Sequence, residues 1–332
     1  MDVERRAFLA GAAAILGSSA ASAQNWEDYK DPKIVAAEPN APLWPAKERF
    51  PLWPASPPGA PRPLPRPGWQ MFPDGPQLWI KGIAVPEVSV FRPPLADGSA
   101  LLVIPGGSYH FIAVQNEGLH PAERFNAERT TVFVLSYRLP GEGWANRSTA
   151  PLSDAQRAMR LIRARASEFK IDPNRLGVLG FSAGGHLAAD LTVSYDQPIY
   201  APVDAADRIS AKPAFTGLIY PVISLDTAIS HGDSAPNLLG ANASPELIAA
   251  RSPALHVTKN TPPSFVAAAM DDGFIMPENS LQWIAACRKA GAIVEAHLFS
   301  EGGHGFGLHL PKEMPGSRWP DLFALWMRKH GG

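Results

Sequence analysis

Leu176-Gly177-Val178-Leu179-Gly180-Phe181-Ser182-Ala183-Gly184-Gly185 is the stretch on which the fold turns. Leu176 to Leu179 reads as a short buried strand and Gly184 to Leu191 opens a helix, so a strand-to-helix turn lies between them. Gly180 and Gly184 stand two residues either side of Ser182. In so sharp a turn a side chain at either glycine collides with neighbouring backbone, while the serine is left standing above the sheet edge. The helix N-terminus beneath it, with free N–H groups and the positive end of the dipole, favours negative charge. A glycine-rich turn carrying an incidental serine is the plainer alternative, and the surrounding chain decides between them.

Outward from this turn, continuous apolar runs recur: Leu101 to Ile104, Val132 to Leu135, Leu218 to Tyr220 and Phe265 to Met270. Runs of this length bounded by turn residues suit strands buried on both faces of a parallel sheet. Ile293 to Phe299 alternates and suits a strand nearer the edge. Helical patterns separate the runs. Ser153 to Gln156 has the form of a capping box, and Ala155, Met159, Ile162 and Ala166 then make one apolar face. Pro277 to Ala290 reads as a helix stopped by Gly291, and Leu322, Leu325 and Trp326 mark a last one. The long connection 224–262 is a possible cap or insertion, with Ser244-Pro245 as a helix start. Alternating strands and helices define an α/β fold: a mostly parallel twisted sheet with helices on both faces.

The composition sets limits on function. Of 332 residues, 45% are hydrophobic and 18% charged, enough apolar material for a large core. With 30 basic and 31 acidic residues the chain lacks the basic balance that nucleic-acid phosphates demand. The one cysteine, Cys287, lies in a helical pattern beside Leu281 and Ile284, which predicts a core role. Residues 1–23 read as an export signal: Arg5-Arg6, an apolar stretch from Ala7 to Gly17, and Ala21-Ser22-Ala23 before Gln24. Arg5-Arg6-Ala7-Phe8-Leu9 has a twin-arginine character. The apolar stretch is too short to span a bilayer, so the expectation is a periplasmic or extracellular protein with no membrane partner. Residues 24–76 hold 14 of the 35 prolines, which excludes a helix or a central strand. Leu43-Trp44-Pro45 and Leu52-Trp53-Pro54 point to an extended arm laid against the body formed by residues 77–332.

A serine hydroxyl is a weak nucleophile until a base takes its proton. Gly302-Gly303-His304-Gly305-Phe306-Gly307 follows the last strand and offers that base, with glycines that let the loop fold back. His309 and His186 are its competitors. Asp271 and Asp272 follow the run Phe265 to Met270, and either suits the carboxylate that orients the imidazole. The chain order serine, acid, histidine fits a sheet of this kind. Donors for a tetrahedral oxyanion are expected from the N–H of Ala183 and from Gly107 or Ser108 in Pro105-Gly106-Gly107-Ser108-Tyr109. Tyr109, Phe111, Trp144 and Phe274 are candidates for the pocket mouth.

These segments, with Glu117-Gly118, Tyr137-Arg138-Leu139, Gly180 to Gly185 and Asp272 to Ser280, resemble the esterase/lipase-type α/β-hydrolases. Within them residues 78–330 look most like the bacterial acetyl xylan esterase-like (feruloyl esterase-like) hydrolases. The resemblance implies Ser182 as nucleophile, His304 as base and Asp272 as acid, ahead of Glu278-Asn279-Ser280. It implies a scaffolding role for Glu117 beside the oxyanion loop. The chain departs from the family at Ser108, where a third glycine is usual, and at Ile275-Met276-Pro277, where Val-Pro is usual. The implied activity is hydrolysis of a small ester or an acetylated polysaccharide through an acyl-enzyme, with no cofactor. The other readings are a prolyl-oligopeptidase-like serine peptidase and a non-catalytic carbohydrate-binding protein. No HExxH, Cys–His metal pattern, dinucleotide fingerprint or P-loop appears in the sequence.

Overall fold

The computed structural model describes residues 44–71, 78–226, 228–229 and 233–331. The export-signal reading of residues 1–23 and the arm residues 24–43 and 72–76 lie outside the described residues. Ten strands are described in chain order: β1 (Arg49–Pro51), β2 (Gly68–Met71), β3 (Leu78–Lys81), β4 (Glu87–Phe91), β5 (Ala100–Ile104), β6 (Thr131–Ser136), β7 (Leu176–Phe181), β8 (Thr216–Ile219), β9 (Ser264–Ala269) and β10 (Val294–Phe299). Eight form one sheet in the order β1-β4-β6-β5-β7-β8-β9-β10, and β2 pairs with β3 in a small ribbon.

From β6 to β10 every pairing is parallel, and every residue of β5, β6, β7, β8 and β9 is buried. That is why these strands read as unbroken apolar runs. β10 closes one edge and is half-exposed, in keeping with its alternating sequence. β4 and β1 close the other edge by antiparallel pairing. Among the described residues β1 is the one strand of the main sheet drawn from the proline-rich segment, and Pro51 is tolerated there because an edge strand has one side free of partners.

Helices Ser182–Ser194, Glu278–Ala290 and Trp319–His330 pack against the sheet, and Ala150–Ala164 packs on Ser182–Ser194. Ala155, Met159, Ile162 and Ala166 are all buried, as their spacing predicts. The capping-box reading of Ser153 to Gln156 is corrected. The helix starts at Ala150 with Pro151 in its first turn, and Ser153 lies inside it with Oγ donating to the Thr149 carbonyl at 2.8 Å. Proline is preorganised for the first turn, and Asp154 is withdrawn into a buried ion pair with Arg138. Leu325 is likewise exposed, and the last helix buries Trp319, Phe323, Trp326 and Met327 instead. Gly291 ends its helix at φ 75°. Cys287 is buried with Sγ 3.8 Å from Ser264 Oγ.

The described part of the arm lies on the body. Trp44, Phe50, Leu52 and Trp53 are buried. Trp53 Nε1 donates to Asp154 Oδ1 at 2.7 Å, and Arg138 and Arg157 donate to the carbonyls of Pro58 and Leu52. Between β8 and β9 the chain forms helices Ser234–Leu239 and Pro245–Ala250, the second capped by Ser244 Oγ accepting from the Leu247 N–H. No helix among the described residues is long and apolar enough to cross a membrane. The loops leaving the carboxyl ends of β5, β7, β9 and β10 meet at one rim of the sheet, where parallel α/β folds present their ligand sites.

Candidate active site

Ser182 is the first residue of its helix and adopts φ 51°, a left-handed conformation unusual for a serine. The turn is as crowded as the glycines suggest. A Cβ on Gly180 would stand 2.3 Å from the Gly184 carbonyl oxygen, and one on Gly184 would stand 2.1 Å from that of Ile104. Ser182 Oγ lies 2.9 Å from His304 Nε2, and His304 Nδ1 lies 2.8 Å from Asp272 Oδ2. The Asp272 side chain is almost wholly buried, and its other oxygen accepts from the N–H groups of Phe274 and Ile275 at 2.9 and 2.8 Å. The adjacent Asp271 is exposed and accepts from the Gly303 N–H at 2.8 Å. One aspartate therefore meets the imidazole and the other holds the backbone of the same loop.

The two competing histidines, His309 and His186, have other partners. His309 faces His120 at 2.8 Å. His186 is fully buried: its Nε2 meets the Arg251 carbonyl and its Nδ1 meets the Tyr109 hydroxyl, both at 2.7 Å. A carbonyl only accepts, so Nε2 carries the proton and Tyr109 donates to Nδ1. Burial drives the His186 pKa down to about 3, keeping the ring neutral.

In the oxyanion-loop candidate, the Gly106 N–H is taken by Glu117 Oε2 at 2.6 Å. Gly107 and Ser108 line the same cleft as Ser182 and His304. Ala183 is buried in the first helical turn, where N–H groups have no intrahelical partner. Glu117 lies in a buried π-helical turn, Gln115–Leu119. Burial raises its carboxyl pKa against the lowering effect of the Gly106 N–H and the nearby His304. Its second oxygen accepts from the Tyr220 hydroxyl at 2.9 Å, and that hydroxyl accepts from the Gly307 N–H at 3.1 Å. Tyr220 thus links the oxyanion loop to the histidine loop, a role that nothing in its short apolar run signals.

The cleft has a volume of about 630 Å³. Phe274 and Phe111 line it, together with Trp79, which stacks on Phe111 at a centroid distance of 3.8 Å. His110, Asp233 and Asn237 supply polar groups. Tyr109 and Trp144 do not reach it, which corrects the reading from sequence. Tyr109 is 1% exposed beneath the loop on His186, and Trp144 is 3% exposed against the Arg138 guanidinium. Both serve as packing, and at Tyr109 the left-handed backbone turns the ring inward.

The parallel sheet, the serine on a strained strand-to-helix turn and the facing imidazole and carboxylate define an α/β-hydrolase of the esterase type. The chain belongs to the BD-FAE family, whose sequence profile matches residues 90–286. It is 33% identical over 225 residues to an acetylxylan esterase of Xylanibacter ruminicola, covering 67% of this chain and 44% of that protein. It is 36% identical over 205 residues to endo-1,4-beta-xylanase B of Butyrivibrio fibrisolvens, covering 62% and 32%. The chain thus spans less than half the length of these curated relatives. An acetyl ester-xyloside bifunctional hydrolase from Caldicellulosiruptor lactoaceticus superposes with a TM-score of 0.72 at 34% identity, over 86% of this chain and 97% of that one. A carboxylesterase from Lactobacillus plantarum, at 22% identity and a TM-score of 0.62 over 80% of this chain and 98% of that one, shares the fold.

Proposed function

We propose that this chain hydrolyses acetyl esters, with acetylated plant polysaccharide as its substrate class, by two-step acyl transfer. The supporting observation is the continuous contact from Ser182 Oγ through His304 to Asp272 at 2.9 and 2.8 Å. Ser182 Oγ attacks the ester carbonyl while His304 Nε2 takes its proton, and Asp272 stabilises the imidazolium. The oxyanion is met by the N–H of Ala183 and by that of Gly107 or Ser108. Each such donor is typically worth about 2.7–4 kcal/mol in the transition state. His304 then protonates the departing alkoxide, leaving an acetyl ester on Ser182. Water loses a proton to His304 and attacks that ester, and acetate leaves as Oγ regains the proton. The sugar alcohol as leaving group is inferred from the acetylxylan esterase and acetyl ester-xyloside relatives.

Ser182→Ala is expected to lower turnover of an acetyl ester by about ten-thousand-fold or more with an unchanged melting temperature. Near-normal activity in that variant removes the assignment. An ester series of rising acyl length, with acetylated xylan included, tests the substrate class, and preference for long acyl chains counts against it. We further propose action outside the cytoplasm, directed by residues 1–23, and a secreted form whose first residue is not Gln24 speaks against that cleavage.

A further inference from the structure

Gly107, Ser108 and Tyr109 are three consecutive residues at positive φ, at 123°, 52° and 60°. Glycine enters this region freely, whereas serine and tyrosine persist there only when their surroundings hold them. We propose that Asn237 is a positioning residue that holds Ser108 in its left-handed conformation and so keeps the oxyanion donor aimed at the site. This rests on the ester-hydrolase reading above.

The loop has tethers below and above. From below, the Gly106 N–H is bound by Glu117 and the Tyr109 hydroxyl by His186, both from the buried scaffold. The peptide plane carrying the Ser108 N–H is fixed through the Gly107 carbonyl, which accepts from the N–H groups of His110 and Phe111 at 2.8 and 3.1 Å. The next plane, carrying the Ser108 carbonyl, is held by Asn237 Nδ2, which donates to it at 2.8 Å. Asn237 belongs to helix Ser234–Leu239 in the 224–262 connection. Its own position is secured by Arg147, whose guanidinium donates to the Asn237 carbonyl at 3.1 and 2.8 Å and to that of Pro236 at 3.0 Å. Without the Asn237 amide, the only side-chain tether on the Ser108 carbonyl among the described residues is gone, and the serine relaxes toward the negative φ that L-residues prefer. The Ser108 N–H is then anchored through the Gly107 carbonyl alone, and rotation about the Ser108 N–Cα bond tilts it from the place where the oxyanion forms. A donor that must be reordered at each turnover stabilises the transition state less than one already in place.

The test is a mutant cycle between Asn237 and Ser108 on an acetyl ester with a small alcohol. Asn237→Ala and the isosteric Asn237→Asp, which removes the donor, are each expected to lower kcat about tenfold with KM within about twofold, less than the full loss of a donor. Affinity for a trifluoromethyl ketone, which forms the same oxyanion on Ser182, should fall in parallel. In a Ser108→Gly background the left-handed turn is relaxed, so Asn237→Ala should cost less than about threefold. Equal losses in both backgrounds, a loss confined to KM, or no loss overturns the proposal. If Asn237→Ala melts early, the Asn237→Asp pair decides. A wild-type chain that hydrolyses no ester and resists fluorophosphonate labelling removes the hydrolase reading itself. An active wild type with an unrescued Asn237 loss removes only this one.

Discussion

At the scale of the residue, Asp271 and Asp272 show how one turn divides two identical side chains. Asp272 is fixed by two backbone N–H groups and presents its free oxygen to His304, while Asp271 reaches the Gly303 N–H from the solvent side. Asp272→Asn is expected to lower kcat/KM by about ten-thousand-fold through loss of the imidazole tautomer. Asp271→Ala loses a hydrogen bond to a loop and should cost about tenfold or less. Assaying both variants side by side checks the division, and a dead Asp271 variant reverses it. From the residues themselves the two were legible only as a pair, and the resemblance to the hydrolase family was what singled out Asp272. Which carboxylate faces the imidazole depends on the backbone path through Gly273 to Ile275, and adjacent residues of one type carry no sign of it. Tyr109 misled for a related reason: its position in the loop was readable, but the left-handed backbone that buries it was not.

At the scale of the element, the π-helical turn Gln115–Leu119 and the end of β8 are joined through Glu117 and Tyr220. Burial pushes the Tyr220 phenol far up, so its hydroxyl stays protonated and donates to Glu117 while accepting from Gly307. Tyr220→Phe removes both bonds and leaves a buried carboxylate short of a donor. The expected result is a loss of about 1–3 kcal/mol in urea unfolding together with a lower kcat. The elements themselves were unequally readable. β5 to β9 are buried on both faces and announce themselves as apolar runs. β4, Glu-Val-Ser-Val-Phe, pairs antiparallel towards an edge with charged and polar positions interspersed, so no run stands out. The start of helix Ala150–Ala164 was obscured because Ser153 and Gln156 imitate a capping box, whereas Ser153 Oγ donates to the Thr149 carbonyl and Gln156 Nε2 to the Ser194 carbonyl.

At the scale of the whole molecule, the neutral state of His186 ties stability to pH. Its folded pKa of about 3 lies below the ordinary value of 6.5, so the unfolded chain takes up the proton first. The stabilisation is complete above about pH 6.5 and is lost progressively as the pH falls towards the folded value. Relative to His186→Asn, which has no titrating ring, the wild-type melting temperature should decline as the pH is lowered from about 7 to about 4. Parallel curves for the two proteins would show that His186 carries no such linkage.

Residues 44–58 look dispensable by composition, yet they fill hydrogen-bonding positions on Arg138, Asp154 and Arg157 deep in the body and cover the flank of β4. A shortened protein beginning at residue 77 would wet those charges, strip a row of backbone groups bare along the sheet margin and invite edge-to-edge self-association. Its urea midpoint should drop and its light scattering rise, so the unit that must be kept whole for expression begins well ahead of the first glycine-rich loop.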